Sequence, residues 1–252
     1  MEKKKIKQLF KYRKLPEMMK FLKRNKRKKV YENLINLQDS IYQLDRYLES
    51  KWKLREKKLE KYWAKIYKSL SKFKVDEAEY DKLTSHIKKY QLHESQLRDG
   101  LLPTRLSVEY YYYYKSCDVR LMRTLIEKKS PHNKLPQTSD WRLFDLATEI
   151  NDDITDFKED HTTINGNYFL IMLYTQSIKE TEKVFSEFLA EIVRRSNQKV
   201  KTRKDYKIIH EWTLKVTLET QSLLEKTIKK IEKKGLKLKK LELANYLELY
   251  VL

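Results

Sequence analysis

Acidic residues are concentrated in one short segment of an otherwise basic chain. Residues 140–160 contain eight Asp or Glu residues and only two basic residues, whereas the whole sequence has a formal net charge of +20. Oxygen atoms of carboxylates are the ligands that hard divalent cations such as Mg2+ prefer. The segment therefore predicts a divalent-cation site. Its acidic residues are Asp140, Asp145, Glu149, Asp152, Asp153, Asp156, Glu159 and Asp160.

Three oxygen-bearing side chains of this segment are spaced to share one side of a helix. Asn151, Thr155 and Glu159 lie at positions i, i+4 and i+8, and residues four apart stack along one helix face. They flank an apolar stripe with helical spacing, so we expect them to reach an interior cavity and bind Mg2+. The stripe consists of Leu143, Leu146, Ala147, Ile150, Ile154 and Phe157.

Residues 151–159, NDDITDFKE, resemble a metal-binding motif of the class I isoprenoid (terpenoid) synthases. They match the terpene-cyclase pattern Asn-Asp-x-x-Ser/Thr-x-x-Lys-Glu at every defined position. The resemblance implies an all-α fold with a single helical bundle, more than one Mg2+ ion, and a prenyl diphosphate substrate. It also implies that Asn151, Thr155 and Glu159 bind metal and that Lys158 helps to hold the diphosphate.

The same segment contains a second pattern of the superfamily. Asp152-Asp153-x-x-Asp156 reads as the DDxxD motif of prenyl transferases, which uses different ligands from the cyclase motif. Asp152 and Asp156 are therefore further candidate metal ligands. The alternative to both patterns is a solvated acidic helix whose aspartates fall into register by chance.

An upstream segment corresponds in part to the diphosphate-sensing region of the family, where a helix is broken near Arg-x-x-Asp/Thr-Gly/Ala. Residues 115–119, KSCDV, are the closest counterpart. They depart from the pattern because lysine lacks the bidentate fork of arginine for phosphate and because Val119 replaces a small residue. The candidate catalytic residues are Lys115, Asp118, Arg120 and Lys158, with Arg105 and Arg123 as further phosphate contacts.

The first aspartate-rich motif of the family has two candidate counterparts. Asp45 and Glu49 are spaced i, i+4, and Asp45 borders an apolar stripe. Residues 76–81, DEAEYD, give a DDxxxD-like pattern, but they lie closer to the second motif than the family usually has them. We favour Asp45 as the metal ligand because of its position beside the stripe.

Five consecutive tyrosines, Tyr110–Tyr114, precede Lys115. We expect most of them to pack in the core. One or two of them, at i and i+3 or i+4, can line a site where their π faces stabilise a carbocation.

The resemblance implies a specific reaction. Mg2+ with Lys158, Lys115 or Arg120 would neutralise the diphosphate and generate an allylic cation, leading to cyclisation or to prenyl transfer. Two alternatives are a noncatalytic partner subunit of the same fold and a basic helical scaffold that binds nucleic acid or membrane. We rank nucleic acid below a prenyl diphosphate because it leaves the NDxxTxxKE pattern unexplained, and the chain is compatible with a homodimer.

Composition predicts that helices carry all of these residues. The sequence has only 3 Gly and 4 Pro in 252 residues, and turns and hairpins normally need more of both. Apolar periodicity and breaks predict one long helix from Leu34 to about Leu70, and further helices at about 76–91, 107–128, 140–164, 168–196 and 205–234, with a short terminal helix. Thr138, Ser139 and Asp140 are the expected N-caps of the motif helix. Short connections imply one bundle.

The first thirty residues form a distinct basic segment. They contain fourteen Lys or Arg residues against two Glu residues, so we divide the chain into a basic N-terminal arm, 1–30, and a helical isoprenoid-synthase-like domain, 31–252. Apolar clusters at 6–10 and 18–22 allow this arm to rest on an anionic membrane, and a solvated arm is the alternative. We expect a cytoplasmic protein, because there is one cysteine and no secretory signal; if the arm rests on a membrane, the protein is also peripheral to that membrane.

Overall fold

The computed structural model describes residues 2–130 and 136–235. In that part of the chain the regular structure consists of helices and 3₁₀ turns, with no β-strand, which confirms the all-α prediction there. The chain divides into two compact units, one comprising Met1–Gln91 and Cys117–Ser139, the other Leu92–Ser116 and Asp140–Leu252. The predicted arm at 1–30 and domain at 31–252 stay a prediction.

The first unit contains the N-terminal helices and one helix from the middle of the chain. In chain order they are α1 (Glu2–Tyr12), α2 (Leu15–Met19), α3 (Arg24–Ser50), α4 (Glu56–Ser71), the greater part of α5 (Tyr80–Gln96) and α7 (Cys117–Lys129). α1 packs on α2 and α3, and α2 packs on α7. Residues 1–30 are therefore part of this unit, because Ile6, Phe10 and Met18 are fully buried.

The predicted long helix over residues 34–70 is two helices. α3 ends at Ser50, Lys51 is extended, and the Tyr47 hydroxyl accepts a hydrogen bond from the Arg55 N–H at 2.7 Å before α4 begins at Glu56. The two helices pack against each other, and the hydroxyls of Ser40 and Ser69 meet at 3.0 Å. The apolar period continues through the break because both helices bury their apolar side in the same core.

The second unit is built around the predicted motif helix. Its helices are α6 (Val108–Lys115), α8 (Arg142–Asp160), α9 (Tyr168–Thr175), α10 (Ile178–Thr202) and α11 (Lys207–Lys234). α8 packs against α6, α9, α10 and α11, and α10 packs against α11. Ile150 and Ile154 of α8 are buried, as the apolar stripe predicted.

Several helix ends differ from the predicted ones. The helix predicted over 168–196 is divided at Gln176 and Ser177, and the Ser177 hydroxyl caps α10 by accepting from the Glu180 N–H at 3.0 Å. Thr138–Trp141 form a 3₁₀ turn, so the predicted N-caps do not cap α8. The predicted terminal helix falls at 236–252, outside the described residues. None of the described helices is long and apolar enough to cross a membrane.

Candidate functional site

Of the three cyclase-like residues of α8, Asn151 contacts α11. The Asn151 amide donates to the Thr220 hydroxyl of α11 at 3.0 Å, and the Thr155 hydroxyl donates to the Asn151 carbonyl at 2.8 Å. Asn151 is half-buried, whereas Thr155 and Glu159 are exposed. The expectation that these residues reach an interior cavity is therefore wrong for Thr155 and Glu159, because α11 covers only the neighbouring side of α8.

Two lysines meet beside this row. Lys158 of α8 and Lys230 of α11 are both exposed, and the close approach of the Lys158 side chain, together with its charge, lowers the pKa of Lys230. Like charges held together repel each other, and an anion placed between them removes that repulsion. The sequence did not single out Lys230, because contacts between distant helices are not encoded in local spacing.

Asp152, Asp156 and Asp160 form a second row at i, i+4 and i+8 on α8. Asp156 is exposed, but desolvation of its carboxylate by the surrounding side chains, followed by the charges of Asp152 and Glu159, raises its pKa. Burial raises the pKa of Asp160 to about 6, although Lys115 and a hydrogen bond from Asn167 act against this rise. Carboxylates that raise the pKa of their neighbours are stabilised by a nearby cation.

The middle carboxylate of the DDxxD pattern is buried and already bonded. Asp153 accepts hydrogen bonds from the Tyr112 hydroxyl at 2.7 Å, the Tyr168 N–H at 2.8 Å and the Lys115 ammonium. Burial lowers the pKa of Lys115, but the charge of Asp153, the interactions with Tyr111 and Asp160 and the hydrogen bond to Asp153 together outweigh it and hold that pKa well above its ordinary value. Asp153 is therefore used within the fold, and the DDxxD pattern retains Asp152 and Asp156 as accessible groups.

The chain breaks its helix directly after Lys115. α6 ends at Lys115, the Ser116 N–H donates to the Tyr112 carbonyl at 3.0 Å, and a separate helix begins at Cys117. The sequence predicted one continuous helix here, because apolar residues recur on both sides of Ser116.

The remaining catalytic and metal candidates belong to the first unit. The Asp118 carboxylate accepts from the Gln38 amide at 2.7 Å, and the Arg120 guanidinium donates to His86 Nδ1 at 3.1 Å. Asp45 is half-buried on α3. Their predicted roles stay predictions.

The other acidic and basic candidates have structural partners. Asp76 caps a 3₁₀ turn and Asp81 pairs with Lys88 at 2.6 Å. Arg123 is fully buried and donates to the Arg13 carbonyl at 2.9 Å, so a phosphate contact from Arg123 is wrong. The Arg105 guanidinium donates to the Gln96 side chain at 2.6 Å.

Two of the five tyrosines are fully buried. Tyr111 and Tyr112 lie in the core of the second unit, and the Tyr111 hydroxyl donates to the Gly166 carbonyl. Tyr113 and Tyr114 are half-buried, and Tyr110 is exposed. The expectation that most of the five tyrosines pack in the core is therefore met by only two of them.

The side chains of α8 fit one mode of Mg2+ binding. Among the described residues, no three His, Cys, Asp or Glu side chains are gathered closely enough to hold a metal ion. Mg2+ is, however, usually bound by one or two carboxylates together with water and substrate phosphates rather than by an all-protein cage. Glu159 and Asp156 are exposed carboxylates on neighbouring sides of one helix, which suits that mode.

No protein-family profile, curated protein or solved structure matches this chain. A proposal about function therefore depends on the residues of α8 and their contacts.

Proposed function

We propose that this protein binds a prenyl diphosphate together with Mg2+ and ionises it, as the class I isoprenoid synthases do. The observation that supports this most is the arrangement along α8 and α11. The row of Asn151, Thr155 and Glu159 on α8 ends next to Lys158, whose side chain lies close enough to Lys230 of α11 to lower the pKa of Lys230. The row supplies oxygen ligands for a cation, and the two lysines beside it supply positive charges for an anion. Binding of diphosphate together with a metal ion requires both.

Each group has a definite role in this proposal. Lys158 and Lys230 hold the diphosphate oxygens, and Glu159 and Asp156 bind the metal together with the amide oxygen of Asn151. Mg2+, when bound, supplies positive charge that makes diphosphate a better leaving group. Lys115 is a positioning residue, because its pair with Asp153 fixes α6 against the middle of α8.

The proposal is tested by release of inorganic diphosphate from geranyl, farnesyl and geranylgeranyl diphosphate with and without Mg2+. We expect Mg2+-dependent release from at least one of them, and its loss in Glu159→Gln and in Asn151→Ala. Glu187→Gln is the matched control, because Glu187 is an exposed glutamate on α10. Full activity in both α8 variants, or no release from any substrate, overturns the proposal of ionisation.

A second candidate is a noncatalytic subunit that binds a prenyl diphosphate. The bond between Lys115 and Asp153 favours it, because the ammonium group that would sense the diphosphate is engaged within the fold. This candidate predicts binding of a prenyl diphosphate without turnover, or turnover only when another chain is added. Turnover by the purified chain alone excludes it.

A further inference from the structure

The outer surface of the N-terminal helices carries many cations that the proposed function does not use. Eleven Lys or Arg side chains between residues 3 and 29 are exposed, and Glu17 is the only acidic residue in that span. Glu17 is half-buried and pairs with Lys20, with Nζ and Oε2 at 2.6 Å. We call these eleven side chains the basic surface. A surface whose charges are all of one sign attracts a partner of the opposite charge.

Most apolar residues of the same segment are buried in the first unit. Ile6 and Phe10 of α1 are fully buried in the first unit. Lys4, Lys7 and Lys11 lie at positions i, i+3 and i+7 and are exposed, so they share one side of α1, different from the side that carries Ile6 and Phe10. The segment is therefore not an amphipathic arm that inserts its apolar clusters into a membrane, because those clusters are used by the fold.

One aromatic ring nevertheless lies in the basic surface. Phe21, between α2 and α3, is 45% exposed and is flanked by Lys20 and Lys23. The Arg27 guanidinium donates to the Lys20 carbonyl at 2.5 Å and to the Leu22 carbonyl at 3.0 Å. These two bonds fix the backbone on both sides of Phe21. The turn therefore presents a large apolar side chain among cations in a braced conformation.

We propose that the basic surface and Phe21 together dock the protein onto an anionic lipid bilayer. Lysines near a negatively charged leaflet are attracted to it individually, without specific geometry. An aromatic ring beside them can enter the interfacial region and remove its apolar area from water. This inference does not depend on the proposed enzymatic function.

A bilayer fits these residues better than nucleic acid does. Ten of the eleven exposed cations are lysines, and Arg24 is the exception. Arginine is the residue that reads phosphates and bases through its planar fork, but Arg13 is buried and Arg27 is used in the turn. Phe21 is a single ring rather than the series of aromatic side chains that stack successive bases.

The experiment is cosedimentation of the full chain with vesicles of phosphatidylcholine alone and of phosphatidylcholine mixed with phosphatidylglycerol, at low and high salt. We expect binding to the mixed vesicles only, weakened by salt. The combined variant Lys4→Gln, Lys7→Gln, Lys11→Gln should bind on the order of a hundredfold more weakly, since each lysine near such a surface contributes about fivefold. Phe21→Ser should weaken binding on the order of tenfold.

The matched control removes the same charge elsewhere. Lys226, Lys229 and Lys233 of α11 are also exposed at i, i+3 and i+7, so their triple change to Gln removes the same three charges from one helix side. We expect it to retain wild-type binding. Equal losses in both triple variants, or no loss in Phe21→Ser, would overturn a defined docking surface.

A second readout separates the two classes of partner. The same proteins are titrated against a fluorescent DNA duplex in the same buffers. Tighter binding to the duplex than to anionic vesicles, lost in the α1 triple variant and unchanged in Phe21→Ser, would show that the partner is nucleic acid and overturn the proposal. Unaltered thermal unfolding of each variant would confirm that its effect is not a loss of fold.

Discussion

The ammonium group of Lys115 donates to the carboxylate of Asp153, a side chain that is only 1% exposed. The pair joins the last residue of α6 to the middle of α8, immediately before the break at Ser116. Asp153 also accepts from the Tyr112 hydroxyl and the Tyr168 N–H. One buried carboxylate thus links α6, α8 and the start of α9. The Lys115 ammonium balances its negative charge.

Lys115→Met should destabilise the protein by ~3–5 kcal/mol, because it leaves Asp153 as a buried charge without its cation. Urea unfolding followed by circular dichroism measures this change. Adding Asp153→Asn should recover part of the loss, since an amide oxygen still accepts from Tyr112 and Tyr168 and carries no charge. Lys179→Met, on the exposed start of α10, is the control, and a loss of similar size there would contradict the explanation.

Gly166 is required for space in the loop after α8. A Cβ added there would lie 2.4 Å from a Glu94 carboxylate oxygen and 2.5 Å from the Tyr111 hydroxyl, both in the core. Gly166→Ala should therefore lower the free energy of unfolding by about 2–3 kcal/mol, as overpacking does. Gly235 differs, because its φ is +67° and nothing lies within 4 Å of an added Cβ. Gly235→Ala should cost about 1–3 kcal/mol through backbone strain alone, because its φ of 67° with ψ of 157° is a conformation that only Gly adopts readily. An unchanged free energy of unfolding in Gly166→Ala would refute the steric argument.

The sequence predicted helices reliably where one apolar stripe coincided with clear ends. α8 is such a case, because its stripe is continuous and the Asn165-Gly166 pair follows it. It could not predict the breaks at 51–55, at Ser116 and at 176–177. Apolar residues continue at helical spacing on both sides of each break. This spacing is the same whether the chain continues straight or turns, so it does not predict the break.

The candidate site was predictable only along a single helix. Spacing placed Asn151, Thr155 and Glu159 on one side of α8, but which side is covered depends on α11, far away in the sequence. For the same reason Lys230 was missed. Asp153 could not be distinguished from Asp152 by its residue type, although one is buried in an ion pair and the other is half-buried.

His86 should make the stability of the protein depend on pH. Its Nδ1 lies 3.1 Å from the Arg120 guanidinium, which can only donate, so the imidazole accepts and is neutral there. Burial and then the charge of Arg120 lower its pKa in the folded state below the ordinary value of 6.5. The unfolded chain therefore binds a proton first, and the stability that His86 contributes is present above pH 6.5 and is lost as the pH falls below it.

The test compares unfolding free energies at pH 7.5 and pH 5 for the wild-type protein and for His86→Gln. The variant should lose less stability on acidification, because the group that favours the unfolded chain at low pH is absent. Asp160 has the opposite effect on stability: burial raises its pKa to about 6 in the folded state, so its contribution to stability increases as the pH falls. Both the wild type and the variant retain Asp160. The difference between them therefore reports His86, and an equal or larger loss in the variant would show that its pKa is not depressed.

The contact between Lys158 and Lys230 gives the proposed diphosphate site its most direct test. Two adjacent ammonium groups bind a diphosphate more strongly than one, since each forms a charge-assisted bond with it. Lys230→Gln should raise the Kd for a prenyl diphosphate with Mg2+ on the order of tenfold, as measured by titration calorimetry. Lys229→Gln is the control, because Lys229 is exposed on the same helix with the same charge. Equal Kd values for the two variants would place the diphosphate away from the α8 and α11 pair, and the roles of both lysines would then have to be abandoned.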